Sequence, residues 1–369
     1  MNIFKKISIL SLFILILTPL AARAQENSLN SPNSTTFKAR VVEILAVEEK
    51  AREDGSKYKQ QNLKLIGLDG EQKNKEIVYN GISDIEVDNI NFYNVGDKVF
   101  IDSFVDESGT QTFYVVDFVR TGYIYILTAL FVLTVLVIGK FKGFKALLSL
   151  VLSFIIIIKF ILPQILAGHD PFLVSLIGGV IILAIIIYLT EGFKKKSHIA
   201  ILSVLLSLTV TLILSLIFTK LTRLSGLAQE EASFLIGIGT AQINFQGLLL
   251  AGFIIGAVGV LDDIVVGQIE AVDRIREANP SLGTKKVFSL AYKVGNTHLG
   301  AIINTLFLTY AGAALPLLLL FILNQDANLT FNRMINTEVV STEIVRTLVG
   351  SIGVMLSMPI ATFLAAFKK

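Results

Sequence analysis

The sequence predicts a membrane protein in which a small exported β-barrel of the OB type precedes an α-helical bundle of about seven transmembrane helices. Three observations support this fold class. Of the 369 residues, 53% are hydrophobic and only 17% are charged, which is too apolar for a soluble chain of this length. Short alternating runs separated by turn residues fill segment 37–120. From residue 122 onward, apolar segments of about the length of a bilayer span follow one another.

The N-terminus has the three parts of a secretory signal peptide. Lys5 and Lys6 form the basic region, an apolar core follows, and Ala24 closes an Ala-Arg-Ala cleavage motif. We predict that residues 1–24 are removed, because the apolar core is short for a span; an uncleaved anchor helix is the alternative. Residues 25–36 are polar and without periodicity, which predicts a linker.

Segment 37–120 is predicted to be a β domain outside the membrane. Its five alternating runs are separated by Asp-Gly, Gly-Asp and Ser-Gly turn signals. Five strands in a domain of this size are typical of a closed or nearly closed OB-like barrel. Such a barrel could bind an oligosaccharide or a partner protein.

The remainder, 122–369, is predicted to be a seven-span domain. The seven apolar segments are 122–139, 146–168, 172–190, 199–219, 247–269, 299–323 and 343–367. With the β domain outside, thirteen lysines and arginines fall in the inner loops and tail and three in the outer loops, as the positive-inside rule requires. The C-terminus is therefore predicted to be cytoplasmic. Segment 232–245 is too short and Gly-interrupted to span; we favour an outer interfacial helix over a re-entrant element.

Composition also excludes several functions. There is no cysteine, so disulfides, thiolate metal sites and a cysteine nucleophile are ruled out. Loss of the signal peptide leaves the chain neutral, which argues against a nucleic-acid surface. The sequence contains no ATP-binding P-loop, no G-x-S-x-G elbow and no H-E-x-x-H zinc motif. We therefore expect no enzyme and no organic cofactor.

Two adjacent carboxylates, Asp262 and Asp263, lie inside the fifth apolar segment. Charged groups at membrane depth are costly and usually mark an ion path or a buried pair. Asp263 shares one helix face with small and polar residues at spacings of three and four, namely Gly252, Gly256, Gly259, Gly267, Glu270 and Arg274. Because small residues permit close helix packing, we predict that Asp263 points into a tight helix interface. Asp262 is rotated about 100° away.

The sixth segment offers polar partners for the aspartates. Antiparallel packing of the fifth and sixth spans would bring Asp263 near Asn304, Thr305 and His298. Asp262, Asp263 and His298 could then hold a cation or relay protons, whereas the alternative is a structural hydrogen-bond network.

Two further ions occupy apolar segments. Arg346 lies one turn after Glu343, which predicts an ordinary helix-end ion pair. Lys159 is predicted either to pair with an acid or to extend outward to the interface.

The stretches "GLLLAGFIIGAVGVLDDIVVGQ" and "VGNTHLGAIINTLFLTYAGAALPLLLLF", with "EANP" between them, resemble the YibE/F family of bacterial multi-pass membrane proteins. The resemblance covers essentially the mature chain and implies an exported domain followed by about seven spans in the bacterial cell membrane. It gives Asp262, Asp263, Gln268, His298, Asn304 and Thr305 motif membership without assigned roles. Family members often carry Arg-Asp before the histidine, where this chain has Asn296-Thr297, and the missing acid weakens a metal site there.

The leading hypothesis is a permease, or a permease subunit, that moves an ion or small solute by a gradient-driven mechanism dependent on the aspartates. A non-transporting envelope sensor or assembly factor, whose barrel binds a partner, is the alternative. An intramembrane aspartyl hydrolase is the least favoured, since adjacent carboxylates on one helix diverge. The expected partners are the lipid bilayer, an unidentified solute, and a second copy or another membrane protein.

Overall fold

The structure is a computed structural model that describes residues 34–51, 57–83, 92–105, 111–228, 230–238, 243–323 and 330–368. The chain divides into two compact units, Met1–Val137 and Ile138–Lys369. The predicted signal peptide and most of the predicted linker lie outside the described residues.

The first unit contains a five-stranded antiparallel sheet. Its strands are β1 (Ser34–Ala51), β2 (Lys57–Gly67), β3 (Glu76–Asn80), β4 (Lys98–Val105) and β5 (Gln111–Phe118). The spatial order is β3-β2-β1-β4-β5, so the longest strand lies in the centre. The prediction of five strands is confirmed, although β1 begins inside the predicted linker because residues 34–36 pair with β4.

The sheet buries one of its faces. Alternate residues of neighbouring strands form its core, among them Val41, Leu65 and Ile101, which are fully buried. The edge strands β3 and β5 approach each other, but no ladder joins them in the described residues. Gln61 fastens the segment before β4, because its amide accepts from the Tyr93 N–H at 2.7 Å and donates to the Tyr93 carbonyl at 3.0 Å. The described part is therefore an antiparallel sheet, not a closed barrel.

The connection between the sheet and the first helix is short. Only Val119 and Arg120 separate the end of β5 from Thr121, where the helix begins. Arg120 Nη1 donates to Asp117 Oδ2 at 2.6 Å, and its guanidinium lies 5.8 Å from the ring centroid of Phe118. Both contacts hold Arg120 against the end of β5.

The helices are α1 (Thr121–Ile156), α2 (Leu162–Leu166), α3 (Pro171–Glu191), α4 (Lys195–Leu221), α5 (Glu230–Ile238), α6 (Phe245–Ala278), α7 (Thr284–Ala313), α8 (Leu315–Leu323), α9 (Phe331–Ile335) and α10 (Glu338–Phe367). A π-helical turn, Ile157–Ile161, joins α1 to α2. Five segments in the described residues are long and apolar enough to cross a membrane: Thr121–Leu166, Pro171–Glu191, Lys195–Leu221, Phe245–Ala278 and Glu338–Phe367. These helices indicate a membrane protein.

The count of five differs from the predicted seven for two reasons. The first segment, Thr121–Leu166, has 46 residues and includes the predicted span 122–139 and all but the last two residues of 146–168; its backbone leaves the helical region at Lys140. The predicted sixth span, 299–323, is divided at Ala314 between α7 and α8. Pro316 explains the division, because it has no N–H to donate to the carbonyl one turn earlier.

Sequence signals fix several helix boundaries. The Asp170 carboxylate accepts from the N–H groups of Phe172 and Leu173, and so caps the start of α3. Asn244 caps α6 by accepting from the Gly247 N–H at 2.9 Å. The π-helical turn precedes Pro163, whose ring excludes a normal bond to the Lys159 carbonyl.

Helix α6 is the centre of the second unit. It packs against α3, α4, α7 and α10, and α10 in turn packs against α4 and α7. The stripe of α6 that faces this core carries its bulky residues, including Ile254, Leu261 and Val265, each at most 1% exposed. The segment predicted at 232–245 overlaps α5, which begins two residues earlier and, at nine residues, is too short to span; residues 239–242 lie outside the described residues.

Candidate functional site

Both aspartates lie on α6 at the level of its buried core, and they point in different directions. Successive residues of a helix differ by about 100°, so the core stripe through Leu261 and Val265 leaves Asp262 at its margin and Asp263 opposite. Asp262 is half-buried and Asp263 is exposed. The two carboxylates therefore diverge as predicted. The more buried of the two is Asp262, however, and not Asp263 as predicted.

Asp262 has the unusual environment. Its Oδ1 atom is buried and has no hydrogen-bond partner among the described residues. The negative charges of Asp263 and of Glu191, the last residue of α3, repel a negative charge on this carboxyl. A buried oxygen without a donor is costly, so this carboxyl is placed for a proton, a cation or water.

The prediction that Asp263 points into a tight helix interface is wrong for the described chain. Gly252, Gly256, Gly259 and Gly267 are exposed, as Asp263 is. A methyl group at Gly252, Gly259 or Gly267 would meet no described atom within 4 Å, and at Gly256 only Tyr310 Oη, at 3.7 Å. The neighbouring helices pack instead against the opposite stripe of α6, because its bulky side chains bury more apolar surface.

The predicted polar cluster between α6 and α7 also does not form in the described residues. His298, Asn304 and Thr305 are exposed, and the Thr305 hydroxyl donates to the Ala301 carbonyl of its own helix at 2.9 Å. The α7 face that packs against the core carries apolar or small residues: Ala291, Gly295, Leu299, Ile302 and Leu306. No group of three or more histidines and carboxylates close enough to hold a metal occurs in the described residues, so Asp262, Asp263 and His298 do not form the predicted cation site.

Gln268 is one predicted site residue that the structure buries. It is 5% exposed, and its Nε2 donates to the Ala291 carbonyl of α7 at 2.7 Å. A side chain at Gly295 would collide with Gln268 and with Met358 of α10. Gln268 therefore joins α6 to α7 where three helices meet.

Glu270 belongs to an ion cluster that the sequence interpretation missed. Lys196 Nζ lies 2.9 Å from Glu270 Oε2 and 3.1 Å from Glu191 Oε2, so one ammonium bridges α3, α4 and α6. Arg274 contacts Glu270 at 2.8 Å and Glu277 at 2.9 Å. The sequence did contain a signal for part of this cluster, because Glu191 and Lys196 have opposite charges and flank the short turn between two apolar segments.

Arg346 forms the predicted ion pair with Glu343, at 2.8 Å. Its guanidinium also lies 5.3 Å from the ring centroid of Phe253, and its Nε is buried without a partner among the described residues. A cavity of about 20 Å³, with Tyr310 and Ser215 in its lining, borders this arginine. That volume suits about one water molecule. Lys159, the other intramembrane cation, is exposed.

A hydroxyl ladder along α4 is a second feature that the sequence interpretation missed. Ser203, Ser207, Thr211 and Ser215 are buried at a spacing of four, and each donates to the carbonyl one turn earlier at 2.7–2.9 Å. Because these hydroxyls bond within their own helix, α4 presents a row of small side chains to α10, and Thr211 of this row lies against Gly353. The strict spacing is visible in the sequence.

Comparison with known proteins gives one match. The family described as YibE/F-like protein matches residues 127–369, which include every helix of the second unit. No curated protein and no solved structure matches the chain significantly.

Proposed function

This chain belongs to the YibE/F-like family, and we propose that it is a permease or permease subunit in the bacterial cell membrane. In this proposal it moves an ion or small solute down a gradient or in exchange for a proton, without ATP. The activity is not enzymatic and uses no organic cofactor or nucleic acid, although a cation can bind transiently.

The buried, unpartnered oxygen of Asp262 carries this proposal. An ionised carboxylate in an apolar bundle is expensive, and a group kept there only for packing would be expected to have a donor. Asp262 also lies on the central helix, which packs against α3, α4, α7 and α10. The sequence interpretation favoured Asp263; the burial favours Asp262.

The test is flux through purified protein in liposomes, with paired variants. Asp262→Asn keeps the shape of the side chain and removes its charge. We expect wild-type protein to carry a cation- or proton-dependent flux, Asp262→Asn to abolish it, and Asp263→Asn, the matched control, to retain most of it. Equal flux in wild type and Asp262→Asn would contradict the proposal.

We also propose that the chain crosses the membrane seven times. The 46-residue segment is long enough for two crossings with its break at Lys140, and α7 with α8 supplies another. Since the chain has no cysteine, single cysteines at Ser56 and Lys369 give a clean readout. We expect the first to react with an impermeant reagent from outside and the second only after permeabilisation; the reverse pattern would refute this topology.

A sensor or assembly role remains the second candidate, because the sheet exposes aromatic residues. Phe104 and Tyr114 pack edge to face at 5.7 Å on the outside of β4 and β5, and are 41% and 54% exposed. We would accept this role if wild-type liposomes show no flux and a photo-crosslinker at residue 114 captures an envelope protein in cells. The β domain is proposed to be a nearly closed OB-like barrel in either case.

A further inference from the structure

A groove of about 210 Å³ lies between α10 and the adjoining parts of α7 and α8. Phe307, Tyr310 and Ala311 of α7 form one wall, and Ile344 and Leu348 of α10 form the opposite wall. In the described residues α8 makes few contacts with α10, so this chain leaves the space between them unfilled. An apolar cavity of about 150 Å³ is large enough to bind benzene, so the groove has room for one aromatic ring with a short chain.

The groove combines its apolar walls with one carboxylate. Glu343 is the charged residue of the described lining, and Tyr310 and Thr347 add two hydroxyl groups. Glu343 Oε1 accepts from Arg346 Nη1 at 2.8 Å, whereas Oε2 has no hydrogen-bond partner among the described residues. Arg346 does not line the groove, because it borders the smaller cavity and lies against the ring of Phe253. The described lining therefore offers an acceptor oxygen to a ligand and contains no lysine, arginine or histidine.

The pairing with Arg346 leaves Glu343 able to bind a second cation. An ionised carboxylate accepts about four hydrogen bonds through its two oxygens. Glu270 of this chain uses both of its oxygens in this way, since Oε2 contacts Lys196 at 2.9 Å and Oε1 contacts Arg274 at 2.8 Å. The Glu343 side chain is 25% exposed, so its second oxygen is accessible to a donor that enters the groove.

We infer that the groove binds a small organic cation, an ammonium group attached to about one aromatic ring. The ammonium donates to Glu343 Oε2, and the rings of Phe307 and Tyr310 attract the positive charge and pack against the apolar body. A neutral molecule of the same shape lacks the charge, and an anion finds no cation in the described lining. This site is separate from Asp262, and binding to it can be measured in a protein that carries no flux.

The competing occupant is a lipid acyl chain, with Glu343 serving only to pair with Arg346. In that case the apolar walls alone determine what binds, and an ammonium group gives no advantage over a hydroxyl group. The preference for the charged head group therefore separates the two explanations.

The experiment measures equilibrium binding of radiolabelled phenethylamine to the full chain in lipid nanodiscs, after subtraction of binding to empty nanodiscs. A primary amine of this kind is protonated at neutral pH. Phenethyl alcohol and hydrocinnamate, which carry a hydroxyl and a carboxylate in place of the ammonium, serve as neutral and anionic competitors. We expect saturable binding that unlabelled amine displaces and that the alcohol and the carboxylate displace at least tenfold less well. Absence of saturable binding, or equal displacement by the alcohol, overturns the inference.

Paired variants locate the site. Glu343→Gln keeps the shape of the side chain and removes its charge, and should weaken amine binding about tenfold, which corresponds to about 1.4 kcal/mol. Ala311→Phe fills the groove without changing the ion pair and should abolish binding. Ala313→Phe, which adds the same ring to an exposed residue outside the described lining, is the matched control and should bind as wild type does.

The result stays decisive if Glu343→Gln folds poorly because it leaves Arg346 unpaired. Ala311→Phe and the comparison of amine with alcohol then test the site without touching the ion pair. Wild-type affinity for the amine in Ala311→Phe or in a folded Glu343→Gln overturns the inference, as does equal loss in Ala313→Phe. Amine binding in a protein that carries no flux would leave this site standing and remove the permease.

Discussion

The contact between α4 and α10 at Gly353 gives a quantitative prediction about how the bundle packs. A methyl group at Gly353 would overlap Thr211 Oγ1 and lie 3.2 Å and 3.3 Å from Thr211 Cβ and Cγ2. Thr211 has little freedom to yield, since it is 3% exposed and its hydroxyl donates to the Ser207 carbonyl at 2.9 Å. Gly353→Ala therefore forces the two helices apart.

The magnitude follows from two opposing effects. Overpacking a tight contact costs about 1–3 kcal/mol, whereas alanine gains up to about 1 kcal/mol over glycine inside a helix. A double-mutant cycle separates them, because Thr211→Ala removes Oγ1 and Cγ2 and should convert Gly353→Ala from destabilising to neutral or stabilising. The interaction energy between the two positions should then be about 1–3 kcal/mol.

The assay is reversible unfolding of the purified protein in detergent. Gly350→Ala, one turn earlier on α10, is the matched control, because a methyl group there meets no described atom within 4 Å. It should be neutral or mildly stabilising. The packing argument is refuted if Gly353→Ala is as benign as Gly350→Ala, or if its effect is the same in the Thr211→Ala background.

Three further predictions concern single contacts and the β domain. Gln268→Leu should lower the free energy of unfolding by about 1 kcal/mol, because it removes the hydrogen bond to the Ala291 carbonyl; an unchanged unfolding curve would contradict this. The Arg120 guanidinium, with the Phe118 N–H, holds the pKa of Asp117 below its usual value, so the pair stabilises at neutral pH and loses its effect as the pH falls through that lowered pKa. Asp117→Asn should therefore lower the unfolding temperature at neutral pH, and the difference from wild type should vanish in acid; a constant difference would argue against the ion pair. A fragment spanning 34–120 has its own buried core and should unfold cooperatively with a β-type circular dichroism spectrum, whereas a disordered spectrum would show that it depends on the helices.

The sequence was sufficient for features that depend on local periodicity. Alternation and turn residues located all five strands, and the apolar segments located the long helices. Helical phase also placed Asp262 and Asp263 about 100° apart. The break between α7 and α8 was less evident, because a proline two residues into a helix reads equally well as a kink within a span.

The sequence did not show which neighbouring helix packs against each face of a given helix. The glycine stripe that contains Gly256 and Gly259 is compatible with close packing, but spacing alone does not show that a neighbouring helix is there. In the structure, the neighbouring helices pack against the bulky stripe through Leu261 and not against the glycine stripe. The Lys196–Glu270 contact joins residues 74 positions apart, and no local pattern reports such a pair.

The two-residue junction after β5 sets the geometry available to the β domain. With only Val119 and Arg120 between the sheet and α1, the domain has no linker on which to diffuse toward distant ligands. The end of β5 must remain within a few ångströms of the start of α1, and whatever the domain binds has to come to that helix. A rotation of α1 about its own axis would turn the whole domain through the same angle, and a ligand held on the domain would resist that rotation. A force applied to the sheet would in this way reach the first helix directly, with the Asp117–Arg120 ion pair at the junction.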